Sequence, residues 1–228
     1  MADSAVLRAY AAAVYPAADV ETLTALISFG DVELRRAIAK RFFIPLPVVE
    51  LLVDDEDGAV RDAIDAYMGG LVRREPLPYD TATLVRICAQ LHLSEAALSA
   101  ARRLPCTSAQ ALTLAGHDHG VVALTLLDRF AGPDRQFATA ICELWAPRMM
   151  APILYVGAEA VMARVLPLSN FSPLAAAHIP ADFALLVAPD FVTAGLSPDS
   201  ATMTLALATD STQSVSAVRA AATLLLSA

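Results

Sequence analysis

The sequence predicts an all-α protein in which many short helices pack as stacked pairs. Two observations support this class. Hydrophobic residues, chiefly the strong helix formers alanine and leucine, make up 57% of the 228 residues, whereas aromatic residues make up only 6%. Fourteen prolines and nine glycines divide this helical material into short segments. Short helices are marginal alone and need neighbours, so stacked pairs are favoured over a bundle of long helices.

Capping residues mark the predicted helix starts, and proline or glycine marks the ends. Asp19 and Asp31 are expected N-caps, Gly69 and Gly70 are expected to end a helix, and Ser94 is expected to cap another. Prolines between residues 167 and 189 leave that region without a clear pattern. The predicted helices, in order, cover residues 4–15, 20–28, 32–43, 48–53, 59–68, 80 or 81 to 90, a segment from 94, and then 107 or 108 to 114, 118–130, 133–145, 199–208 and a final segment from 214 or 216.

A repeated segment supports the stacked arrangement. Residues 34–39 (LRRAIA) align with residues 60–65 (VRDAID), so that Arg61 follows Arg35 by 26 positions, and each copy follows an acidic turn. Residues 218–222 form a third copy with Arg219, and residues 118–124 form a fainter one without the arginine. In this unit the acidic residue caps a helix and the aliphatic residue faces a neighbour. The arginine can bond the carbonyls of the preceding turn or the acidic cap.

These segments resemble the leucine-rich repeat variant, a family in the HEAT-like group of α-solenoids, and are also similar to bacterial HEAT-like domains of unknown function. The resemblance is strongest over residues 20–68 and looser over 105–130 and 196–226. It implies an α-solenoid of stacked short helix pairs and a role as a binding scaffold. It rests on residues 37–41, 44–47, 51–52, 54–57 and 60–61.

We therefore predict one helical-repeat domain over residues 1–228, with better-defined repeats in 20–68 and degenerate, more apolar repeats in 104–228. One member of the variant family carries an iron–sulfur cluster on an N-terminal cysteine group. This chain has no cysteine before Cys88, so the resemblance implies no such cluster here.

Charge and hydropathy exclude several function classes. The net charge is −8, and the single basic cluster contains Arg35, Arg36, Lys40 and Arg41. We interpret this cluster as a solvated face paired with acidic neighbours such as Glu33. Because phosphate backbones are bound by arrays of lysine and arginine, no nucleic-acid partner is expected. The mean hydropathy is +0.54, but prolines interrupt the longest uncharged stretch, so no membrane partner is expected either.

The location and origin of the protein are predicted from its composition. The N-terminal residues lack a basic region followed by an apolar stretch, so no signal peptide is expected. Cys88, Cys106 and Cys142 are scattered, which is typical of a reducing compartment. A cytoplasmic location is therefore predicted. Lys40 is the only lysine among 16 basic residues, a bias typical of a GC-rich bacterial genome.

Candidate chemistry is sparse. His117, Asp118 and His119 lie between two glycines and could share a divalent ion from an extended loop. A polar turn in which Asp118 caps the next helix is the simpler interpretation, so no metal or cofactor is predicted. Residues 54–57 are acidic but lack the spacing of a calcium loop. GxSxG, P-loop, GxGxxG and HExxH motifs are absent, so no catalytic residue is predicted.

A partner-binding surface is predicted in the second half of the chain. Charged residues number 26 in residues 1–103 but 14 in the longer segment 104–228, so aliphatic surface there would need a cover. Methionine and aromatic side chains are favoured at interfaces, and a homodimer through the C-terminal half is the simplest closed assembly. The partner-binding candidates are Trp145, Met149, Met150, Tyr155, Leu224 and Leu225.

The predicted function is a non-catalytic scaffold that binds another protein through its helical-repeat surface. One alternative is an enzyme of the HEAT-like DNA glycosylase type. Such an enzyme needs a basic groove and an aromatic–acidic site, for which Trp145 with Glu143 is the only candidate. Another alternative is an immunity or inhibitor protein, for which the acidic net charge would be natural.

Overall fold

The computed structural model describes residues 3–90, 92–130, 135–150 and 154–165. Within these ranges the chain forms eleven α-helices and one 3-10 helix, and no strand, which confirms the predicted all-α class. None of the helices in this part of the chain combines the length and apolar character needed to cross a membrane. The chain forms two compact units, residues 1–105 and residues 106–228. The single helical-repeat domain over residues 1–228 stays a prediction.

Unit 1 contains seven helices among its described residues. Helix α5 packs along α7, and α1 packs against both α2 and α3. Its core consists of aliphatic side chains that include Leu23, Ile38, Ile64 and Leu84. The helices are α1 (Asp3–Val14), α2 (Val20–Ser28), α3 (Val32–Ala39), α4 (Leu46–Leu52), α5 (Gly58–Val72), α6 (Thr81–Cys88) and α7 (Ser94–Arg103).

Unit 2 is described as far as residue 165. Helices α8 and α9 pack against each other, and α11 packs against α9 and α10. Gly120 and Gly157 let the starts of α9 and α11 meet, because a Cβ at Gly120 would lie 2.8 Å from the Gly157 carbonyl oxygen. The elements are α8 (Ser108–Ala115), α9 (Gly120–Phe130), α10 (Arg135–Trp145), a 3-10 helix (Ala146–Met150) and α11 (Ala158–Val165).

Local side-chain caps are present at the starts of five of the eleven described α-helices. The Asp19 and Asp31 carboxylates accept backbone N–H bonds as N-caps of α2 and α3, which confirms both predictions. Asp57 and Asp80 do the same for α5 and α6. Thr107 forms a reciprocal capping box at the start of α8. Each cap satisfies a backbone donor that the helix itself leaves free.

Two predicted helix ends are wrong. Helix α3 stops at Ala39 rather than Phe43. Helix α5 continues through Gly69 and Gly70 to Val72. Gly69 is buried, and a Cβ there would lie 3.2 Å from a carboxylate oxygen of Glu95 on α7. This glycine therefore serves close packing between two helices rather than helix termination.

The start of α7 is capped by another helix. Ser94 is already the first helical residue, and Leu93 before it supplies no side-chain cap, so the prediction that Ser94 caps α7 is wrong. Asp65 on α5 instead accepts the backbone N–H groups of Glu95 (2.9 Å) and Ala96 (2.8 Å). Burial raises the pKa of Asp65 above its usual value, against the opposing effect of these two bonds.

The first two copies of the repeated segment share one local geometry. Their caps, Asp31 and Asp57, are separated by the predicted 26 positions, and the aliphatic residues at the third helical position are both buried. In each copy the following arginine bonds the carbonyl of the residue before the cap. The Nη1–O distance is 2.9 Å from Arg35 to Gly30 and 3.0 Å from Arg61 to Glu56. The third copy, with Arg219, lies outside the described residues.

An ion pair joins α3 to the cap of α5 and makes stability depend on pH. Arg36 donates to both Asp57 carboxylate oxygens, at 3.1 Å from Nε and 2.6 Å from Nη2. Hydrogen bonding from Arg36 holds the pKa of Asp57 below its usual 3.8. A lowered folded-state pKa means that the ionised group stabilises the fold above pH 3.8. This contribution is lost as the pH falls through the lowered pKa.

We expect Asp57→Asn to lower stability at neutral pH and to match the wild type at strongly acidic pH. Asparagine caps helices as well as aspartate does, so this change removes the charge and keeps the cap. Urea denaturation at a series of pH values measures the difference. Asp62→Asn, an exposed position of the same helix, is the control and should show little difference at any pH. A deficit for Asp57→Asn that persists unchanged in acid would contradict this role.

Candidate partner-binding groove

An open groove lies where the end of α1 meets the end of α3 in unit 1. Its volume is about 400 Å³, and we call it the aromatic groove. It is lined by Tyr10, Val14, Pro16, Ala37, Lys40, Arg41, Phe42 and Phe43.

Large aromatic side chains stand exposed along this groove. Phe42 is 88% exposed, Phe43 is 52% exposed and Tyr10 is 48% exposed. The two phenylalanines belong to the loop between α3 and α4, which begins where α3 ends earlier than predicted. Clustered apolar side chains of this size on a surface are typical of interaction sites.

Arg41 fastens this loop to the end of α1. Its Nη1 donates to the carbonyl oxygens of Ala13 and Tyr15, each at 2.7 Å, and its Nη2 donates to Pro16 at 3.0 Å. Its Nε donates to the carbonyl oxygen of Phe43 at 3.3 Å. The last carbonyls of a helix have no partner within the helix, and α1 has no basic residue in its last turn. Arg41 supplies the missing donors and thereby sets the groove wall.

Tyr67 of α5 fixes the far end of the same loop. Its hydroxyl accepts the backbone N–H of Ile44 and donates to the Ile44 carbonyl, both at 3.0 Å. Burial raises the pKa of Tyr67, so the hydroxyl keeps the proton that it donates. The Ile44 side chain is fully buried. Phe42 and Phe43 are therefore presented by a loop that is anchored on both sides.

The groove also carries positive charge. Lys40 is exposed on its lining, and the Arg74 guanidinium carbon lies 5.5 Å from the Phe42 ring centroid. No ion pair within the described residues involves Lys40, Arg41 or Arg74. The other two members of the basic cluster differ, because Arg35 pairs with Asp55 and Glu56, and Arg36 pairs with Glu33 and Asp57. The predicted pairing with acidic residues is confirmed for these two arginines, but the prediction of a solvated face is wrong for Arg35, which is buried. The pairing does not extend to Lys40 and Arg41.

The three polar residues around residue 118 form a tight turn before α9. His117 is fully buried, and its Nδ1 accepts the backbone N–H of His119 at 3.1 Å. The same nitrogen lies 2.8 Å from an Asp118 carboxylate oxygen. Nowhere in the described part of the chain do three His, Cys, Asp or Glu side chains form a group that could hold a metal ion.

The structure places two of the predicted partner-binding residues in the core of unit 2. Trp145 is fully buried, with its indole N–H donating to the Ala115 carbonyl at 2.8 Å, and Met149 is also buried. Both are corrected to core residues, because α10 and the 3-10 helix turn their apolar sides inward. Glu143, which the sequence offered with Trp145 as an aromatic–acidic site, is exposed. Tyr155 is half-buried and packs edge-on against Trp145.

The Met150 side chain, Leu224 and Leu225 lie outside the described residues, as does most of the C-terminal half proposed to form a homodimer.

Arg148 explains why Trp145 and Tyr155 are held together. Its guanidinium carbon lies 4.6 Å from the Trp145 ring centroid and 4.8 Å from that of Tyr155. It donates to the carbonyl oxygens of Gly116 (2.8 Å) and His117 (3.1 Å), beyond the end of α8. Burial lowers the pKa of Arg148. This constellation closes the core of unit 2 around a helix end.

Sequence reasoning missed the aromatic groove. The available signal was the pair Phe42 and Phe43 directly after Lys40 and Arg41, in a segment that also contains Pro45. This pattern predicted the continuation of α3 instead.

Comparison of the chain with models of protein families, with curated proteins and with solved structures finds no match.

Proposed function

We propose that this chain is a non-catalytic cytoplasmic scaffold that binds another protein through the aromatic groove of unit 1. The observation that carries the proposal is the exposure of Phe42 and Phe43 on a loop anchored at both ends. An aromatic side chain buries roughly 150–250 Å² when covered, and such anchors dominate the energetics of protein interfaces. A partner that covered these rings would gain this hydrophobic stabilisation.

The anchoring of the loop favours tight binding. Ordering a mobile loop on association opposes binding by roughly 0.5–1.5 kcal/mol for each immobilised side chain. Arg41 and Tyr67 already hold the backbone around Phe42 and Phe43, so little further ordering of the backbone is needed. The groove is thus suited to recognition without a large conformational change.

The repeated geometry supports a helical-repeat architecture for unit 1. The caps Asp31 and Asp57, the buried residues Leu34 and Val60 and the carbonyl-bonded arginines recur at the same spacing. We propose that these segments are HEAT-like repeats, as their sequence resemblance implies. Repeat proteins of this kind present extended surfaces for binding, which agrees with a scaffold.

We expect Phe42→Ala to weaken binding without affecting folding. Random dodecapeptides displayed on phage, selected on the full chain, should yield clones that bind the wild type. Synthetic peptides of those sequences should then bind Phe42→Ala roughly 30-fold more weakly, the effect of losing about 2 kcal/mol at an interface anchor. Fluorescence anisotropy measures the affinities, and far-UV circular dichroism should show an unchanged melting temperature because the ring is exposed.

Phe29→Ala is the matched control for this experiment. Phe29 is 74% exposed in the same unit but does not line the groove, so its truncation should leave peptide binding unchanged. Peptides that bind the wild type, Phe42→Ala and Phe29→Ala equally would contradict the groove as the binding site. A selection that yields no clones dependent on Phe42 would contradict the function itself.

A further inference from the structure

We infer that the occupant of the aromatic groove is an acidic peptide segment, in which a large apolar side chain is flanked by aspartate or glutamate. This inference rests on the proposed function and specifies the partner of the same groove. The apolar side chain would contact Phe42, Phe43 and Tyr10, and the carboxylates would face the basic groups beside them.

The charges at the groove support an acidic partner. None of the described residues that line it is acidic, and Lys40 and Arg41 belong to its lining. Arg74 adds a third cation against the Phe42 ring. The chain as a whole has a net charge of −8, so the groove is a positively charged region on an acidic protein. Complementary charge of this kind selects partners and raises association rates.

The positive charge of Arg41 is not balanced by any carboxylate within the described residues, because its hydrogen-bond partners are neutral carbonyl groups. Arginine has five N–H donors, and Arg41 directs four bonds to backbone carbonyls, which leave its positive charge uncompensated. Elsewhere in unit 1, Arg35, Arg36, Arg73 and Arg86 pair with carboxylates of the chain itself. Arg41, Lys40 and Arg74 are thus available to balance carboxylates supplied from outside.

The shape of the groove favours a peptide segment over a small molecule. The aromatic side chains on its lining are about half or more exposed, so the groove is a surface cleft rather than an enclosed pocket. Pockets for small ligands typically bury most of the ligand surface. An extended or helical segment can instead lie across the cleft, insert one side chain and place neighbouring carboxylates beside Lys40.

The test uses the phage-selected dodecapeptides whose binding depends on Phe42. We expect their sequences to be enriched in aspartate and glutamate next to a leucine or an aromatic residue. Synthetic peptides should lose affinity when each acidic residue is replaced by its amide. They should bind Lys40→Ala roughly threefold and Lys40→Glu roughly tenfold more weakly than the wild type, as expected for an exposed charge pair. Raising the salt concentration should reduce the wild-type affinity toward that of Lys40→Ala.

Arg103→Glu is the control for net charge. Arg103 is an exposed basic residue in the last turn of α7 that does not line the groove, so its reversal should leave the affinity nearly unchanged. Equal binding of acidic and amide peptides, with no effect of Lys40→Glu, would overturn the inference. The proposed function would stand in that case if binding still required Phe42.

Two other outcomes also overturn the inference. If the selection yields no clone whose binding depends on Phe42, both the proposed function and the inference of an acidic peptide are wrong. A dimer of the wild-type chain in light scattering that becomes a monomer on Phe42→Ala would show that a second copy fills the groove.

Discussion

Val60→Asp should prevent unit 1 from folding at neutral pH. Val60 is fully buried at the third position of α5, where its side chain belongs to the core. Arg61, the nearest basic residue in sequence, directs its guanidinium to the carbonyls of Asp55 and Glu56. An unpaired carboxylate in the core costs several kcal/mol, a large part of the roughly 5–15 kcal/mol that stabilises a typical domain.

Ala59→Asp is the matched control for this change. Ala59 is the exposed neighbour of Val60 in the first turn of α5, where a negative charge interacts favourably with the helix dipole. It should melt like the wild type or slightly above it in thermal scans followed by far-UV circular dichroism. Val60→Asp with a wild-type melting curve would show that Val60 lies outside the core.

Trp145→Ala should destabilise unit 2 by about 3–5 kcal/mol, the usual loss when a large aromatic residue is removed from a core. Trp145 is among the largest fully buried side chains, and it meets the ring of Tyr155 and the guanidinium of Arg148. Its indole N–H is bonded to the Ala115 carbonyl at the end of α8. The substitution removes these contacts together and leaves a cavity between α8, α10 and the 3-10 helix.

Trp145→Phe separates the hydrogen bond from the packing. Phenylalanine retains most of the apolar burial but leaves the Ala115 carbonyl without its indole donor, so a smaller loss of about 1–3 kcal/mol is expected. Leu154→Ala, at an exposed apolar position of the same unit, should change stability little. Urea denaturation followed by far-UV circular dichroism measures all three variants. A loss for Trp145→Ala no larger than for Leu154→Ala would contradict its place in the core.

The wild-type chain offers an additional probe. Trp145 is its only tryptophan, so its fluorescence reports the unfolding of unit 2. Circular dichroism follows both units, and comparison of the two signals shows whether they unfold together.

The helix caps and arginine bonds that the sequence predicted correctly depend on local interactions. Asp19 and Asp31 accept N–H groups two or three positions ahead, so their caps depend on residues adjacent in sequence. The bonds from Arg35 to Gly30 and from Arg61 to Glu56 span five residues each. Because these partners are close along the chain, their spacing predicted the starts of α2 and α3 and gave the carbonyl bond as one of two possible arrangements of the repeated arginine.

The predictions that were wrong, for the end of α5, the cap of α7 and the exposure of Trp145, depend on contacts between residues distant in sequence. Gly69 and Gly70 are residues that normally end a helix, but the packing of α5 on α7 carries the helix through them. Asp65 caps α7 across 30 positions of sequence, where Ser94 was the local candidate. Trp145 is a residue type that is enriched at interfaces, but here it is buried, and its indole N–H donates to the Ala115 carbonyl at the end of another helix, α8.

Of the features described, the aromatic groove depends most on contacts between residues that are distant in sequence. Phe42 and Phe43 follow a helical pattern that would continue α3, and the basic residues before them do not by themselves decide whether the two rings are buried or exposed. The backbone around them is set by a bond from Arg41 to the Ala13 carbonyl of α1, 28 positions away, and by the bonds between Tyr67 and Ile44, 23 positions apart. The sequence by itself determined that the chain is helical, because helix propensity and caps act within a few residues. Which side chains are buried and which line a binding groove was decided only when distant helices packed, since exposure is a property of neighbours in space.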